Sequence, residues 1–322
     1  MNRKKICTQG LLFSAILLVN ITICGCEDKK IESNLTSIIQ SESTTNEETT
    51  NEETTNEETT KEENTEEEQT QLTFVDVKGN EYTIDIHNDW PLNPYNVDNF
   101  VRDENGNMSY LSEEYTYRLG VDVSKYSAEI DWAKVKADGY EFAIIRVGFR
   151  GYGNSGQLVE DPYAVSNLKG ALEAGLDVGV YFFSQAISEE EAIEEAKFTI
   201  EILEKAGVTS EDLKMPVVFD PETITDDDAR TDDVSGEQFT ANALAYLKKI
   251  ESEGFTGMIY SNMLWEAYQL DLNELSDYPV WYADYEDKPQ TPYAFEIWQY
   301  SESANVSGIP NLCDVNIQMI KQ

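Results

Sequence analysis

Met215-Pro-Val-Val-Phe-Asp-Pro-Glu-Thr223 is the stretch on which the fold turns. Pro216 to Phe219 is a short apolar run that reads as a buried strand. It ends in two carboxylates, Asp220 and Glu222, spaced i, i+2. Side chains two apart on a strand point the same way, with Cβ atoms roughly 6.5–7 Å apart. In a parallel α/β barrel both acids emerge at the C-terminal mouth, where such barrels do chemistry. Two acids held that close repel, so one pKa should rise, as a proton donor at neutral pH requires. The same residues also read as a solvated strand end opening the acidic loop Asp226-Asp227-Asp228. The stretch alone does not separate the two.

Outward from it, strands and helices alternate. Leu119 to Val123 reads as a first strand, Ile130 to Asp138 as a helix and Phe142 to Val147 as a second strand. A helix from Tyr163 to Ala174 closes at Gly175, and Val178 to Phe183 is a third strand. Ser188 with Glu191 forms a capping-box signal for a helix running to about Ala206. After the Pro216 strand come a helix over 236–253 and strands at Met258–Tyr260, Pro279–Ala283, Phe295–Gln299 and Val315–Met319. Eight strands with helices between the early ones predict an irregular TIM-like (β/α) barrel over 118–322. The later strands leave little room for helices. Residues 71–117 read as a small β-rich module, with a hairpin around Lys78-Gly-Asn80. At about 45 residues it is marginal alone and is expected to pack on the barrel through Trp90, Tyr95, Phe100 and Tyr110.

The N-terminal part reads as processing and spacing. Arg3-Lys4-Lys5 before the apolar run Leu11–Ile23 has the pattern of a secretory signal over 1–26. Ile23-Cys24-Gly25-Cys26 resembles a bacterial lipobox, which implies lipidation at Cys26 and attachment to the outer face of the membrane; plain cleavage and secretion to the wall is the alternative. Residues 27–70 lack aromatics and repeat Thr-Thr-Asn-Glu-Glu from Thr44. Such a segment cannot bury enough apolar surface to offset its ordering entropy, so it is expected to be a disordered, extended linker.

Charge and composition narrow the chemistry. The chain carries −39; with +3 in the signal and −12 in the linker, residues 71–322 hold −30. That field repels nucleic acid and anionic membrane. The membrane contact expected is therefore through the lipid anchor alone. His87 is the only histidine, which argues against a Ser-His-Asp triad or a His-rich metal site and moves hydrolytic chemistry onto carboxylates. No cofactor or metal is expected. Outside the signal and lipobox, Cys313 is the only cysteine, read as a small buried residue.

Acids and aromatics gather at one end of the expected barrel. Asp122 ends the first strand, Tyr181 and Phe183 the third, and Asp220 and Glu222 the fourth. Trp281 and Asp284 follow, then Trp298-Gln299-Tyr300, with Asp314 opening the last strand. Carboxylates for proton transfer, ringed by aromatics that stack on sugars, suit glycoside hydrolysis.

Gly120-Val-Asp-Val-Ser-Lys-Tyr126, Ile130-Asp-Trp132, Phe142-Ala-Ile-Ile-Arg146, Gly175-Leu-Asp-Val-Gly-Val-Tyr-Phe-Phe-Ser184 and Trp298-Gln-Tyr300 resemble the glycoside hydrolase family 25 muramidases, the Chalaropsis-type lysozymes, from Tyr117 onward. The resemblance implies cleavage of the β-1,4 bond between N-acetylmuramic acid and N-acetylglucosamine in peptidoglycan, on an irregular barrel without a metal. It implies that Glu222 is the general acid, Asp122 a catalytic carboxylate and Asp314 a site acid. Tyr181, Trp281 and Gln299 are implied to line sugar subsites, with Phe183 and Asp284 expected beside them. Pro221 departs from the family, which more often has an apolar or aromatic residue there.

Asp220 and Glu222, side by side on one strand, are poorly placed to attack one sugar from opposite faces. The expectation is therefore that the substrate's 2-acetamido group is the nucleophile and that Asp220 orients it. Direct attack by an Asp and an inverting water stay open. The chain is expected to act as a monomer; the competing functional reading is a lipoprotein that binds wall saccharide without cleaving it. A chitinase-type hydrolase is disfavoured, because Met215 and Val218 stand where its D-x-x-D-x-D-x-E run needs acids.

Overall fold

A computed structural model describes residues 70–225 and 227–322. The expected signal and lipobox, with Cys26, and the expected linker up to residue 69 lie outside the described residues. Two hairpins come first: β1 (Gln71–Val75) pairs with β2 (Glu81–Asp85), and β3 (Phe100–Arg102) with β4 (Met108–Tyr110). Each turns through the pattern Asp-x-x-Gly-Asn. Asp76 Oδ1 accepts from the N–H groups of Lys78 and Asn80, and Asp103 Oδ1 from those of Asn105 and Asn107. An Asp that ties its own turn in this way favours the reversal over extended backbone.

The chain then runs β5 (Tyr115–Val123), α1 (Trp132–Ala137), β6 (Phe142–Arg150), β7 (Leu158–Glu160), α2 (Ala164–Glu173), β8 (Asp177–Ser184) and α3 (Glu189–Ala206). It continues β9 (Val217–Pro221), α4 (Gly236–Ser252), β10 (Gly257–Asn262), α5 (Met263–Tyr268), β11 (Val280–Ala283), β12 (Ile297–Ala304) and β13 (Cys313–Lys321). Helix α3 starts where expected: Ser188 Oγ accepts from Glu191 N–H. The Glu191 carboxylate returns to Ile187 N–H rather than to Ser188 itself. The helix stops at Gly207, whose φ of 75° is cheap only for glycine.

Strands β5, β6, β8, β9, β10, β11 and β12 pair in parallel, and β13 closes the ring antiparallel to both β12 and β5. The result is a closed eight-stranded barrel, with β7 as a short antiparallel addition to β6. It departs from the expected TIM-like plan in its last third. Only residues 305–312 join β12 to β13, too few for a parallel crossover, so the chain doubles back. Among the described residues no helix lies between β11 and β12.

Side-chain alternation divides the interior in two. On β6, Phe142 and Ile144 point into the barrel, whereas Ala143, Ile145 and Val147 face outward to the helices. The same parity sends Tyr181, Val218, Met258, Tyr260, Trp281 and Ile297 inward. Gly120 is required on the inner face of β5. A Cβ there would sit 2.2 Å from the Phe142 ring, which fills the space instead.

The hairpin module occupies the side that the helices leave bare. Phe100 packs edge-on to Trp298 at 5.1 Å, and Tyr95 donates its hydroxyl to Phe295 O at 2.9 Å. Backbone bonds Asn93 N to Pro292 O and Ala294 N to Pro91 O, both 2.9 Å, fix the module to the β11–β12 connection. Its aromatics thus bury barrel surface, the role that their density in so short a segment requires. Helix α5 and β7 carry no strong sequence period. The first is capped by Asn262, whose Oδ1 accepts from both Leu264 and Trp265 N–H.

Candidate active site

Four carboxyls meet at the C-terminal mouth of the barrel. Asp122 comes from the end of β5 and Asp314 from the start of β13, its direct cross-strand partner. Asp220 comes from β9, and Glu222 lies one residue past that strand. Asp122 and Asp220 are buried; Asp314 and Glu222 are half-buried at the rim.

Asp122 is held from two sides. Its Oδ2 accepts from Gln299 Nε2 at 2.9 Å and from Asn316 Nδ2 at 2.8 Å. Gln299 is oriented in turn by Tyr285, whose hydroxyl donates to Oε1 at 2.9 Å. Asn316 is oriented by Trp281, whose indole N–H donates to Oδ1 at 2.7 Å. Burial pushes Asp122 up to about 6, against the pull of these two amides. Burial, then the charge of Asp122, pushes Asp314 up to about 9. The two carboxyls act on each other, so at neutral pH the pair keeps one proton between them.

Asp220 is among the buried polar groups left incompletely satisfied in the described residues. Its Oδ1 is buried without a hydrogen-bond partner. Burial, then the charges of Glu222 and Asp122, raise it well above the carboxylate range. Burial and the charge of Asp122 lift Glu222 to about 7. Arg146 is the cation that works against both shifts. It projects from β6 and pairs with buried Asp161, at 2.9 Å through Nε and 2.8 Å through Nη2. Gln185 fixes the loop that carries Glu222 by donating to its carbonyl at 2.7 Å. This arrangement can supply a proton at neutrality from Glu222 and offers a buried acceptor at Asp220. Acids held in such strained protonation states mark sites of chemistry.

Residues 121–309 match the model of the Glycosyl hydrolases family 25, more than half of the chain. The chain belongs to this family. The family 25 match is accompanied by similarity to the Escherichia coli K12 protein YegX, whose own function is uncharacterized. The two are 29% identical over 208 residues, 62% of this chain and 68% of YegX. Among solved structures, the modular autolysin LytC of Streptococcus pneumoniae superposes with a TM-score of 0.55 at 21% identity, over 76% of this chain. This chain covers 56% of that autolysin's length. A family 25 glycosyl hydrolase of Bacillus anthracis superposes with a TM-score of 0.52 at 20% identity, over 65% of this chain and 92% of its own. At such identities the structural likeness concerns the fold.

Within this family 25 barrel the sequence-derived candidates fall into distinct places. Asp122, Asp220, Glu222 and Asp314 converge, with Tyr181 among them: its hydroxyl feels the charges of Arg146, Asp122, Asp220 and Asp314. Phe183 is half-buried beside Asp220 in the β8–β9 register. Gln299 is committed to Asp122 and Tyr285, so it positions an acid rather than offering a free amide.

Trp281 and Asp284 make their contacts within the protein. Trp281 is 1% exposed and sits edge-on to Tyr260 at 5.0 Å and Tyr181 at 5.9 Å. Its ring is enclosed by these neighbours and has no free face for a sugar. Asp284 accepts from Tyr282 OH, Glu286 N–H and both nitrogens of Gln290, so its carboxylate is occupied in holding the loop after β11. Sequence reasoning missed Asn316, Arg146 and Tyr285. Asn316 stands two residues after Asp314, hence on the same face, and Arg146 continues the inward row of Phe142 and Ile144. Those spacings were the available signals. Tyr285 lies beyond a strand end and gives none. Among the described residues no group of three or more His, Cys, Asp or Glu side chains is placed to hold a metal ion.

Proposed function

We propose that this chain is a peptidoglycan hydrolase, an N-acetylmuramidase that cleaves the β-1,4 bond between N-acetylmuramic acid and N-acetylglucosamine. The observation that carries the reading is the pairing of Glu222, raised to about 7, with Asp220, whose buried Oδ1 lacks a partner. One can give a proton at neutral pH; the other can receive an N–H from a bound 2-acetamido group. Family membership supports glycoside hydrolysis, and the pneumococcal autolysin solved with a synthetic peptidoglycan ligand supports the substrate class.

In this mechanism Glu222 protonates the glycosidic oxygen as the C1–O bond breaks. The acetamido carbonyl oxygen of the muramyl unit attacks C1 and forms an oxazolinium intermediate. Asp220, protonated at neutral pH, accepts the acetamido N–H on its unpartnered Oδ1 and so orients the carbonyl oxygen toward C1, while the carboxylate left on Glu222 balances the positive charge of the intermediate. Glu222, now a carboxylate, takes a proton from water, and that water opens the intermediate at C1. The two inversions leave the anomeric configuration unchanged. Asp122, with Asp314, supplies the fixed charge alongside.

Residues 71–322 incubated with purified peptidoglycan should release new reducing ends that are muramic acid by mass spectrometry. Glucosamine ends would place the cut at the other bond. Binding without release would leave a saccharide-binding protein. On a soluble N-acetylated glycan, NMR should show the β-anomer forming first; initial α-product would remove the acetamido route. We further propose that Cys26 carries the lipid anchor and that the acidic segment after it spaces the hydrolase from the membrane. Cys26→Ser should then move the protein from the membrane fraction to the medium, and an unchanged distribution would discard the anchor.

A further inference from the structure

Near the four acids lies a cleft with one wall outside the region matched to family 25. Its volume is about 530 Å³, within the ~300–1,000 Å³ usual for ligand sites. One wall is the β1–β2 turn, Val75 to Gly79, which precedes the matched region 121–309. The floor and far wall come from the C-terminal ends of β10, β11 and β12, with Asn262, Tyr285, Glu286 and Glu302. In the barrel order those three strands lie between β9, which leads to Asp220 and Glu222, and the β13–β5 pair, which holds Asp314 and Asp122. The cleft therefore lies at the same end of the barrel as the acids, on the stretch of wall between the two pairs.

Two contacts make the continuity physical. Tyr285 lines the cleft and donates to Gln299, which donates to Asp122. Glu302 lines it and acts through its charge on both Glu222 and Asp314. The hairpin wall is also fixed in place. The Gln290 side chain bonds both the N–H and the carbonyl of Val75 at 2.9 Å, while its own N–H is held by Asp284 at 2.9 Å. The turn itself is tied by Asp76, whose two oxygens accept from Lys78 N–H, Asn80 N–H, Asn80 Nδ2 and Tyr82 OH. Val77, 75% exposed, and the Lys78 ammonium are left facing solvent on an otherwise rigid wall.

We infer that this cleft is an additional saccharide subsite, built jointly by the N-terminal hairpin and the barrel mouth, and that it takes a further N-acetylated sugar of the same glycan strand. The inference rests on the glycan-hydrolase reading above. Its chemistry fits such a unit: Glu286, Glu302 and Asn262 offer partners for hydroxyls, Lys78 donates, and Val77 with the Tyr285 ring offers apolar surface for an acetyl methyl or a sugar face. A rigid wall keeps low the ordering cost of holding one more ring. The consequence is a preference for long glycans over short ones, set jointly by the hairpin outside the barrel and the barrel mouth.

Binding separates this inference from the hydrolase reading. Full-length Glu222→Gln protein is titrated calorimetrically with peptide-free glycans of four and eight sugars prepared from peptidoglycan. The eight-sugar chain should bind about tenfold more tightly, ~1.4 kcal/mol. Adding Val77→Ser with Lys78→Ala, at exposed positions that pack on nothing, should bring that ratio down to within about twofold. Gln290→Ala, which frees the hairpin from the loop after β11, should do the same by a separate route. Equal affinities for both glycans, or a ratio unmoved by both changes, overturns the subsite. Absence of reducing ends from the wild type, with the ratio intact, overturns hydrolysis and leaves the subsite standing.

Discussion

Asp314 faces Asp122 directly across the antiparallel β13–β5 pair, and the charge of Asp122 bears on the Asp314 carboxyl. The reversal of the last strand produces this contact, because it brings the start of β13 level with the end of β5 at the mouth. With Asp314 raised to about 9 and Asp122 to about 6, the pair carries a single negative charge at neutrality. Asp314→Asn keeps a donor toward Asp122 and should cost no more than about tenfold in kcat/KM, the scale of one neutral hydrogen bond. Asp122→Asn removes the charge itself and should cost on the order of 10²-fold. Equal losses in the two variants would contradict this division of labour.

Glu222 must be protonated to act as the acid, and it titrates at about 7. Activity on soluble glycan should therefore fall as pH rises through about 7. It should also fall below about 6, where Asp122 gains a proton. Glu222→Gln should reduce turnover about 10²–10⁴-fold while leaving glycan affinity nearly unchanged. A pH–rate profile flat from 6 to 9 would remove Glu222 from the role.

Asp220 combines a buried orphan oxygen with a strongly raised pKa, so it costs the folded protein stability. Asp220→Asn replaces a carboxyl surrounded by other acids with a neutral amide of the same shape. Its melting temperature should match or exceed that of the wild type, while kcat drops on the order of 10²–10³-fold. A melting temperature several degrees lower would show that Asp220 is a structural residue and not a stored cost of the site.

Much of this was legible in the sequence. Short apolar runs at the right spacing gave the barrel strands, and acids that ended them located the mouth. Strand direction was not legible for β13, since period-two alternation looks the same in parallel and antiparallel strands. Packing was not legible either. Trp281 has the correct inward parity, yet its ring is enclosed by Tyr181 and Tyr260 and its N–H serves Asn316. The contacts of Asp284 were not legible for a related reason. Its bonds to Tyr282 and Gln290 depend on how a loop closes, and no local pattern encodes that. Pro221 proved compatible with a strand end: it is the last residue of β9, in register with Ser184.

The Trp281 contact can itself be tested. Trp281→Phe keeps most of the ring volume but leaves the buried Asn316 Oδ1 without its donor, at a cost of about 1–3 kcal/mol. The freed amide no longer holds its nitrogen toward Asp122. Both the melting temperature and the turnover on glycan should fall, with KM little changed. A raised KM with normal turnover would instead restore Trp281 as a sugar contact.

Stability should depend on pH in an unusual sense. Acids with raised values include buried Asp122 at about 6, Glu195 at about 7 and Glu266 at about 8, with half-buried Glu222 at about 7 and Asp314 at about 9. Each binds its proton more tightly folded than unfolded. Between the ordinary carboxylate range near 4 and its folded value, each therefore withdraws stability as pH rises, and above that value it withdraws no more. Acids with lowered values, among them Asp76, Asp103 and Glu191, act oppositely and lose their contribution only below the ordinary range. The melting temperature should accordingly peak near pH 4–5 and decline toward pH 9, by roughly 2–4 °C for each kcal/mol lost. Glu266 tests the attribution away from the site. It is buried in α5 with Oε2 accepting from Thr291 and Oε1 unpartnered. Glu266→Gln should flatten the decline on the alkaline side without moving the pH–rate profile; an unchanged slope would assign the pH dependence to other groups.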